Sequence, residues 1–427
     1  MTLKRELGLL HATMMGLGST ICAGIFVILG PAAEIAGPAI ILSFILCGII
    51  NIATMLSYCE LGAAMPRAGG EYAYVREAFK GLPSFLTGWY EWSSNIFYAT
   101  LMVLGSASIL SYLIPIGQSL TAVLLAVLFT AINIRGIKEA GTSQTLLTSV
   151  LLAIIFIFVG AGFAHGIRSD AFEPLMPKGP LSMIAAIAFI FETYLGVEAI
   201  AAAQAEIKEP ERTIPRAMIL CSLILIVVYC LVVYVTIGTI PPEILIKSVA
   251  PLNLVAEKTM GNVGVILIVV AGLVAALTSL NSAMIASSRV ALAMARDGHF
   301  PKILGEVHGH FRTPHIAIVT SSVFVVFFSM VGSLEFVVYS INFGFLIGFS
   351  IVDLSLIKLR RTRPCMNRPF KTPLHPVAPI IGIATSIGLL AFFDVESLAF
   401  GIAWGLVGLA IYLLEHKQTR NNTRLAK

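Results

Sequence analysis

From Ala217 to Pro242 the chain runs without one Asp, Glu, Lys or Arg, and most of that stretch is Leu, Ile and Val. Such a segment has no polar face to turn to water. As a helix, about 20 apolar residues cross a hydrocarbon core of roughly 30 Å. The pattern recurs, and twelve spans are predicted near 10–33, 39–63, 83–113, 117–136, 144–166, 181–205, 216–239, 263–295, 313–333, 336–358, 375–393 and 396–414. Only 12% of the 427 residues are charged and 57% are hydrophobic, whereas soluble domains carry about 25% charge. The runs are continuous rather than alternating, which excludes an outer-membrane barrel. The expected fold class is all-α integral membrane, with 12 transmembrane helices.

Placement of the basic residues orients these spans. Of the 28 Lys and Arg, 23 fall at one set of helix ends. The other set holds only Arg168, Lys178, Lys247 and Lys258, and Arg289 falls inside a span. By the positive-inside rule, both termini are expected in the cytoplasm of a multi-pass cell-membrane protein. The outer connections 164–180 and 240–262 are the longest, and the second has enough apolar residues for short helices lying on that face. No cleavable signal and no separate soluble domain are expected.

Several chemistries are excluded. There is no G-x-x-x-x-G-K-[ST] phosphate loop, no HExxH and no GxSxG, so neither an ATP-driven pump nor an enzyme is expected. No cofactor is implied. No basic run carries interleaved aromatics, which excludes nucleic acid as a partner. The six cysteines lack metal or disulfide spacing and read as small buried hydrophobes. His308, His310 and His315 share a loop without a completing carboxylate or thiol, so no metal site is expected. Trp89 and Trp92 read as an interfacial aromatic belt, and Asp353 as an interfacial charge or a partner of a basic residue such as Lys358. Glu60, Arg67, Glu206, Arg212, Arg289, Arg296 and Asp297 cluster at one membrane face, which suggests an ion-pair network that opens and closes.

Two spans are weak helices. GSTICAGIFV, Gly18 to Val27, places Gly18, Ser19 and Gly24 inside an apolar run. Broken backbone is tolerated at membrane depth only where it packs in protein or lines a cavity. A break there offers N–H donors from one half-helix and carbonyls from the other, which suits a zwitterion. Close helix packing through small residues is the competing reading. Five spans later, FIFETYLGVEAIAAAQ, Phe189 to Gln204, has Gly196 in an apolar run with Glu192 and Glu198 at membrane depth. Paired broken helices at corresponding positions mark inverted-repeat transporters. Glu192 reads either as a protonated group bonded to a neighbouring helix or as a cavity group for substrate or proton. Asn95 is a further cavity candidate, because its amide needs partners.

Four stretches resemble the amino acid–polyamine–organocation superfamily of permeases: GSTICAGIF, ELGAAMPRAGGEYAYVREAFKG, YLGVEAIAAAQAEIKEPERTIPRAM and SRVALAMARDGHFPK. They occur in the order that family shows and span nearly the whole chain. The resemblance implies one transmembrane domain over 1–427 with a LeuT-type 5+5 inverted repeat and discontinuous helices 1 and 6. Repeat one would cover about 9–168, repeat two about 180–361, and two accessory helices about 375–414. By the same likeness Ser19, Thr20, Ala23 and Gly24 would border a substrate carboxylate. Carbonyls near Ile21, Phe189 and Glu192 would take its ammonium, and Tyr194 and Gly196 would lie at the second break. The family usually has Gly where this chain has Cys22, and an apolar residue where it has Glu192. Relatives driven by protons often carry a helix-five Lys, whose position here is Ser149. Thr278, Ser279 and Ser282 are the sodium-site candidates that sodium-coupled relatives suggest, although membrane hydroxyls also bond back to their own helix.

The implied function is a secondary active transporter of amino acids or related amines working by alternating access, proton-coupled or exchanging. Glu192 is its candidate proton-coupling group. Alternatives are a polyamine or cationic amino acid exchanger, and a non-transporting amino acid sensor. The expected partners are a small-molecule substrate and the lipid bilayer, with a homo-oligomer left open.

Overall fold

The structure, a computed structural model, describes residues 7–22, 24–65, 70–110, 117–135, 141–202, 207–311 and 313–425. The first predicted span is not one helix. It divides into α1 (Leu9–Thr20), α2 (Gly24–Val27) and α3 (Leu29–Ala36), and the backbone leaves the helical region at Ile21, close to the weak helix formers Gly18, Ser19 and Gly24. Then come α4 (Ile40–Ala64), the short α5 (Gly70–Ala78), α6 (Leu82–Leu110), α7 (Gln118–Arg135) and α8 (Gly141–His165). The second weak segment gives α9 (Gly179–Ile190) and the single turn α10 (Ala199–Ala202). Beyond it lie α11 (Pro210–Thr239), α12 (Pro242–Leu245) and α13 (Pro251–Arg296). The last four are α14 (His315–Val331), α15 (Leu334–Thr362), α16 (Val377–Leu390) and α17 (Val395–Leu425).

No strand occurs among the described residues; one isolated parallel bridge joins Leu7 to Ile207. Nine helices among those residues are long and apolar enough to cross a membrane. Of the twelve predicted spans, the first is in pieces and those near 313–333 and 375–393 are shorter apolar helices. Short helices do lie in the 240–262 connection: α12, and the opening of α13 up to a kink at Gly261, whose φ is +64°.

Burial separates the centre from the rim. In the apolar stretch of α6 89% of the residues are buried, against 22% for α7 and 17% for α17. α6 packs on α13 and α15, while α4 packs on α11. Trp89 and Trp92 of α6 are buried, which corrects the interfacial-belt reading. Trp89 Nε1 donates to the Trp404 carbonyl at 2.9 Å and Trp92 Nε1 to Ser321 Oγ at 3.1 Å. Their indoles join α6 to α17 and α14, because the surrounding helices bring hydrogen-bond partners that lipid lacks.

The ion pairs at the basic end of the bundle also differ from the expected network. Glu60, fully buried in α4, meets Arg360 through two bonds of 2.8 and 2.5 Å and Arg368 at 3.2 Å. The Thr372 amide donates to it as well, at 2.7 Å. Asp297 bonds Arg76 at 2.8 Å and the Tyr72 hydroxyl at 2.7 Å, tying α5 to the end of α13. Arg212, Arg289 and Arg296 are exposed, and Arg67 and Glu206 lie outside the described residues. Helical rotation decides this: Arg289 and Arg296 share an α13 face that points away from the bundle.

Asp353 is not an interfacial charge. It is fully buried on the inner face of α15, with Leu346, Phe349 and Leu356. Lys358, the basic neighbour in sequence, instead sits 4.1 Å over the Phe79 ring.

Candidate functional site

Both weak segments open, and the two openings touch. Ile21 leaves the helical region after Thr20, with ψ of 90°, and helix resumes at Gly24. In the second segment α9 tightens into a 3-10 turn over Phe191–Tyr194, and Leu195 is extended. Gly196 has φ of +118°, and helix resumes at Ala199. A Cβ on Gly196 would stand 2.6 Å from the Ser19 carbonyl carbon and 2.7 Å from the Thr20 nitrogen. Conformation and backbone approach therefore both demand glycine there.

Breaking a helix at this depth orphans carbonyls, which must find donors. Four helices supply them. The Gly18 carbonyl accepts from Thr278 Oγ1 at 3.0 Å, and that of Ser19 from the Tyr98 hydroxyl at 3.1 Å and Ser279 Oγ at 3.2 Å. The Tyr229 hydroxyl lies between the breaks, 3.1 Å from the Thr20 carbonyl and 2.8 Å from that of Thr193. Asn342 Nδ2 reaches the carbonyls of Ala188 and Phe189 at 2.9 and 3.1 Å. α6, α11, α13 and α15 thus converge on the same few backbone groups.

Glu192 lies against this junction. Its Oε2 is 3.7 Å from the Cys22 thiol, and its Oε1 has no hydrogen-bond partner among the described residues. A side chain at Gly24 would begin 2.5 Å from Oε1. Glu192 is fully buried, and no cation pairs with it among the described residues. Cys22 and Glu192, singled out in the sequence separately, are therefore partners. Glu198 faces its own turn, with Oε1 accepting from the Gly196 amide at 2.8 Å.

The other candidates are distributed as follows. Ser19 is buried at the first break, and Thr20 Oγ1 bonds back to the Gly16 carbonyl. Tyr194 stands at the second break, but its hydroxyl bonds the Phe44 carbonyl of α4 at 2.7 Å. Asn95 Nδ2 bonds the Glu91 carbonyl one turn back. Ser282 bonds the Thr278 carbonyl, whereas Thr278 and Ser279 reach across to α1. Ser149 is exposed and bonds its own helix, while its neighbour Thr148 is the buried residue. Ala23 lies outside the described residues. Sequence reading missed Tyr229 and Asn342. The available signal was a polar group in the middle of an apolar run, LIVVYCLVV and VVYSINFGF.

The amino acid permease family pattern matches residues 7–411. The chain belongs to this family. The permease is similar to the methylthioribose transporter of Bacillus subtilis, 30% identical over 97% of this chain and 94% of that protein. It resembles the branched-chain amino acid permease BcaP of the same organism at 28% identity, covering 97% and 93%. The serine/threonine exchanger SteT of Bacillus subtilis is 29% identical, with 96% of each chain covered. The permease is thus a multi-pass membrane transporter of a small molecule, not an enzyme.

Proposed function

We propose that the permease carries an amino acid, or a related amine, across the cell membrane by alternating access, with the solute held between the two helix breaks. The observation that carries this reading is the contact of Gly196 with Ser19 and Thr20, which puts both sets of half-helix ends in one place. The start of α2 and the Ser19 hydroxyl would receive a carboxylate. The carbonyls of Ser19, Thr20, Ile21, Phe189 and Thr193 would receive an ammonium group in exchange for the Tyr98, Tyr229 and Asn342 donors. Those donors satisfy the carbonyls of Ser19, Thr20, Thr193 and Phe189.

In this reading the fold is the LeuT-type 5+5 repeat, with halves near 9–168 and 180–361, accessory helices near 375–414, twelve spans and cytoplasmic termini. Transport is driven by protons or by exchange, and Glu192 binds either the coupling proton or a cationic group of the solute. Oε1 of Glu192, without a hydrogen-bond partner among the described residues, favours a second reading, a cationic amino acid or polyamine exchanger. Counterflow in proteoliposomes separates the two. A panel of alanine, serine, leucine, arginine, putrescine and methylthioribose is offered against labelled solute, with and without a pH gradient. Trans-stimulation by neutral amino acids is expected; stimulation by arginine and putrescine alone selects the second reading, and by no amino acid or amine rejects both.

A further inference from the structure

The α4–α15–α16 junction holds a carboxylate that the proposed transport site does not use. Ser57 Oγ donates to Asp353 Oδ1 at 2.5 Å and Thr54 Oγ1 to Oδ2 at 3.1 Å. Asp353 and Ser57 are fully buried and Thr54 nearly so. α16 closes the third side with bare backbone: a Cβ on Gly382 would stand 2.2 Å from Oδ2 and 2.8 Å from Thr54 Oγ1.

Among the described residues no charge compensates Asp353. α9 and α16, both packed on α15, contain no ionisable residue. On α4, Glu60 is held by Arg360 and Arg368. On α5, Glu71 faces Gly348, more than a turn away, Arg76 goes to Asp297 and Glu77 to Arg363. On α6, Glu91 accepts from the Tyr72 amide. Glu192 is turned to Cys22. Glu396 opens α17 near the other end of α15, where Gly401 meets Phe343. On α15 itself, Lys358 covers Phe79.

The partners of Asp353 are suited to both states of the carboxyl. Serine and threonine hydroxyls each donate and accept, so they satisfy an ionised carboxylate by donating and a protonated one by accepting. Arginine or lysine would satisfy only the first. With the Gly382 backbone pressed on Oδ2, the pocket admits a proton but not a hydrated ion.

We propose that Asp353, Thr54 and Ser57 form a proton-binding site, separate from the helix breaks, whose proton is taken up and released as α4 and α15 shift during transport. This rests on the transport reading above. The test is uptake and counterflow in proteoliposomes between pH 5 and 8, with internal pH followed by a dye, for wild type and Asp353→Asn. Wild type is expected to change uptake severalfold across that range and to move protons with solute. Asp353→Asn is expected to keep counterflow within about twofold while losing the pH dependence. A wild-type pH profile in Asp353→Asn overturns the proposal, as does a flat wild-type profile or sodium-dependent uptake that Asp353→Asn abolishes. Absence of counterflow in wild type would instead overturn the transport reading. Should Asp353→Asn not fold, Ser57→Ala is examined by infrared difference spectroscopy across the same pH range. A shift of one protonated-carboxyl band relative to wild type is the expected result, and an unchanged spectrum overturns the site.

Discussion

The Cys22 thiol and the Glu192 carboxylate meet at 3.7 Å across the two helix breaks, with Gly24 packed beside both. One residue comes from the segment that opens after α1 and the other from the turn that follows α9. A methyl at position 24 would start 2.5 Å from Oε1, so the carboxylate can rest there only because residue 24 has no side chain.

Gly24→Ala should therefore act through Glu192. We expect it to lower uptake about tenfold in the wild-type background and no more than about twofold further when Glu192 is already alanine, the non-additivity of residues in contact. Initial rates in proteoliposomes of the two single variants and the double variant measure this. Strictly additive losses would show that the two positions act independently.

Gly196→Ala meets backbone rather than a movable side chain. Its Cβ would collide with the Ser19 carbonyl carbon while φ is +118°. A cost of about 2–4 kcal/mol is expected from strain and forced separation of the breaks. Thermal unfolding in detergent should show a lowered midpoint and no recovery with added solute.

Tyr229→Phe removes one hydroxyl that serves two carbonyls. Each buried acceptor left without a donor costs about 1–3 kcal/mol. The variant should melt earlier than wild type. Solute that brings its own ammonium donor should restore more stability to Tyr229→Phe than it adds to wild type. Equal stabilisation of the two proteins would count against solute binding at these carbonyls.

The basic end gives a contrasting pair of substitutions. Glu60→Ala strands Arg360 and Arg368 in a mostly buried setting, and breaking one side of such a pair costs about 3–5 kcal/mol. Arg289→Ala removes an exposed charge and should change stability by less than about 0.5 kcal/mol, with uptake intact. Melting curves and transport rates of both variants check the assignment of Glu60 to Arg360 rather than to the exposed α13 arginines.

Much was legible in the chain alone. Apolar run length exposed the many-helix membrane fold, because lipid forces every spanning backbone to satisfy itself. Gly18, Ser19, Gly24 and Gly196 marked both breaks through their poor helix propensity and, for Gly196, a backbone conformation that other residues avoid. Those are local properties, and local sequence carries them. Which side chains meet is a different matter. Asp353 was readable as a charge near a helix end, yet its partners Thr54 and Ser57 lie almost three hundred positions earlier. Arg289 and Arg296 were expected in the network but lie on the exposed side of their helix, since a uniformly apolar helix has no polar stripe to reveal its rotation. Tyr229 and Asn342 became visible as caps only once the breaks they cap had been brought to them. The sequence determined where the backbone would open; tertiary packing alone decided which hydroxyls, amides and carboxyls would face the opening, because those groups come from helices that are neighbours in space and not along the chain.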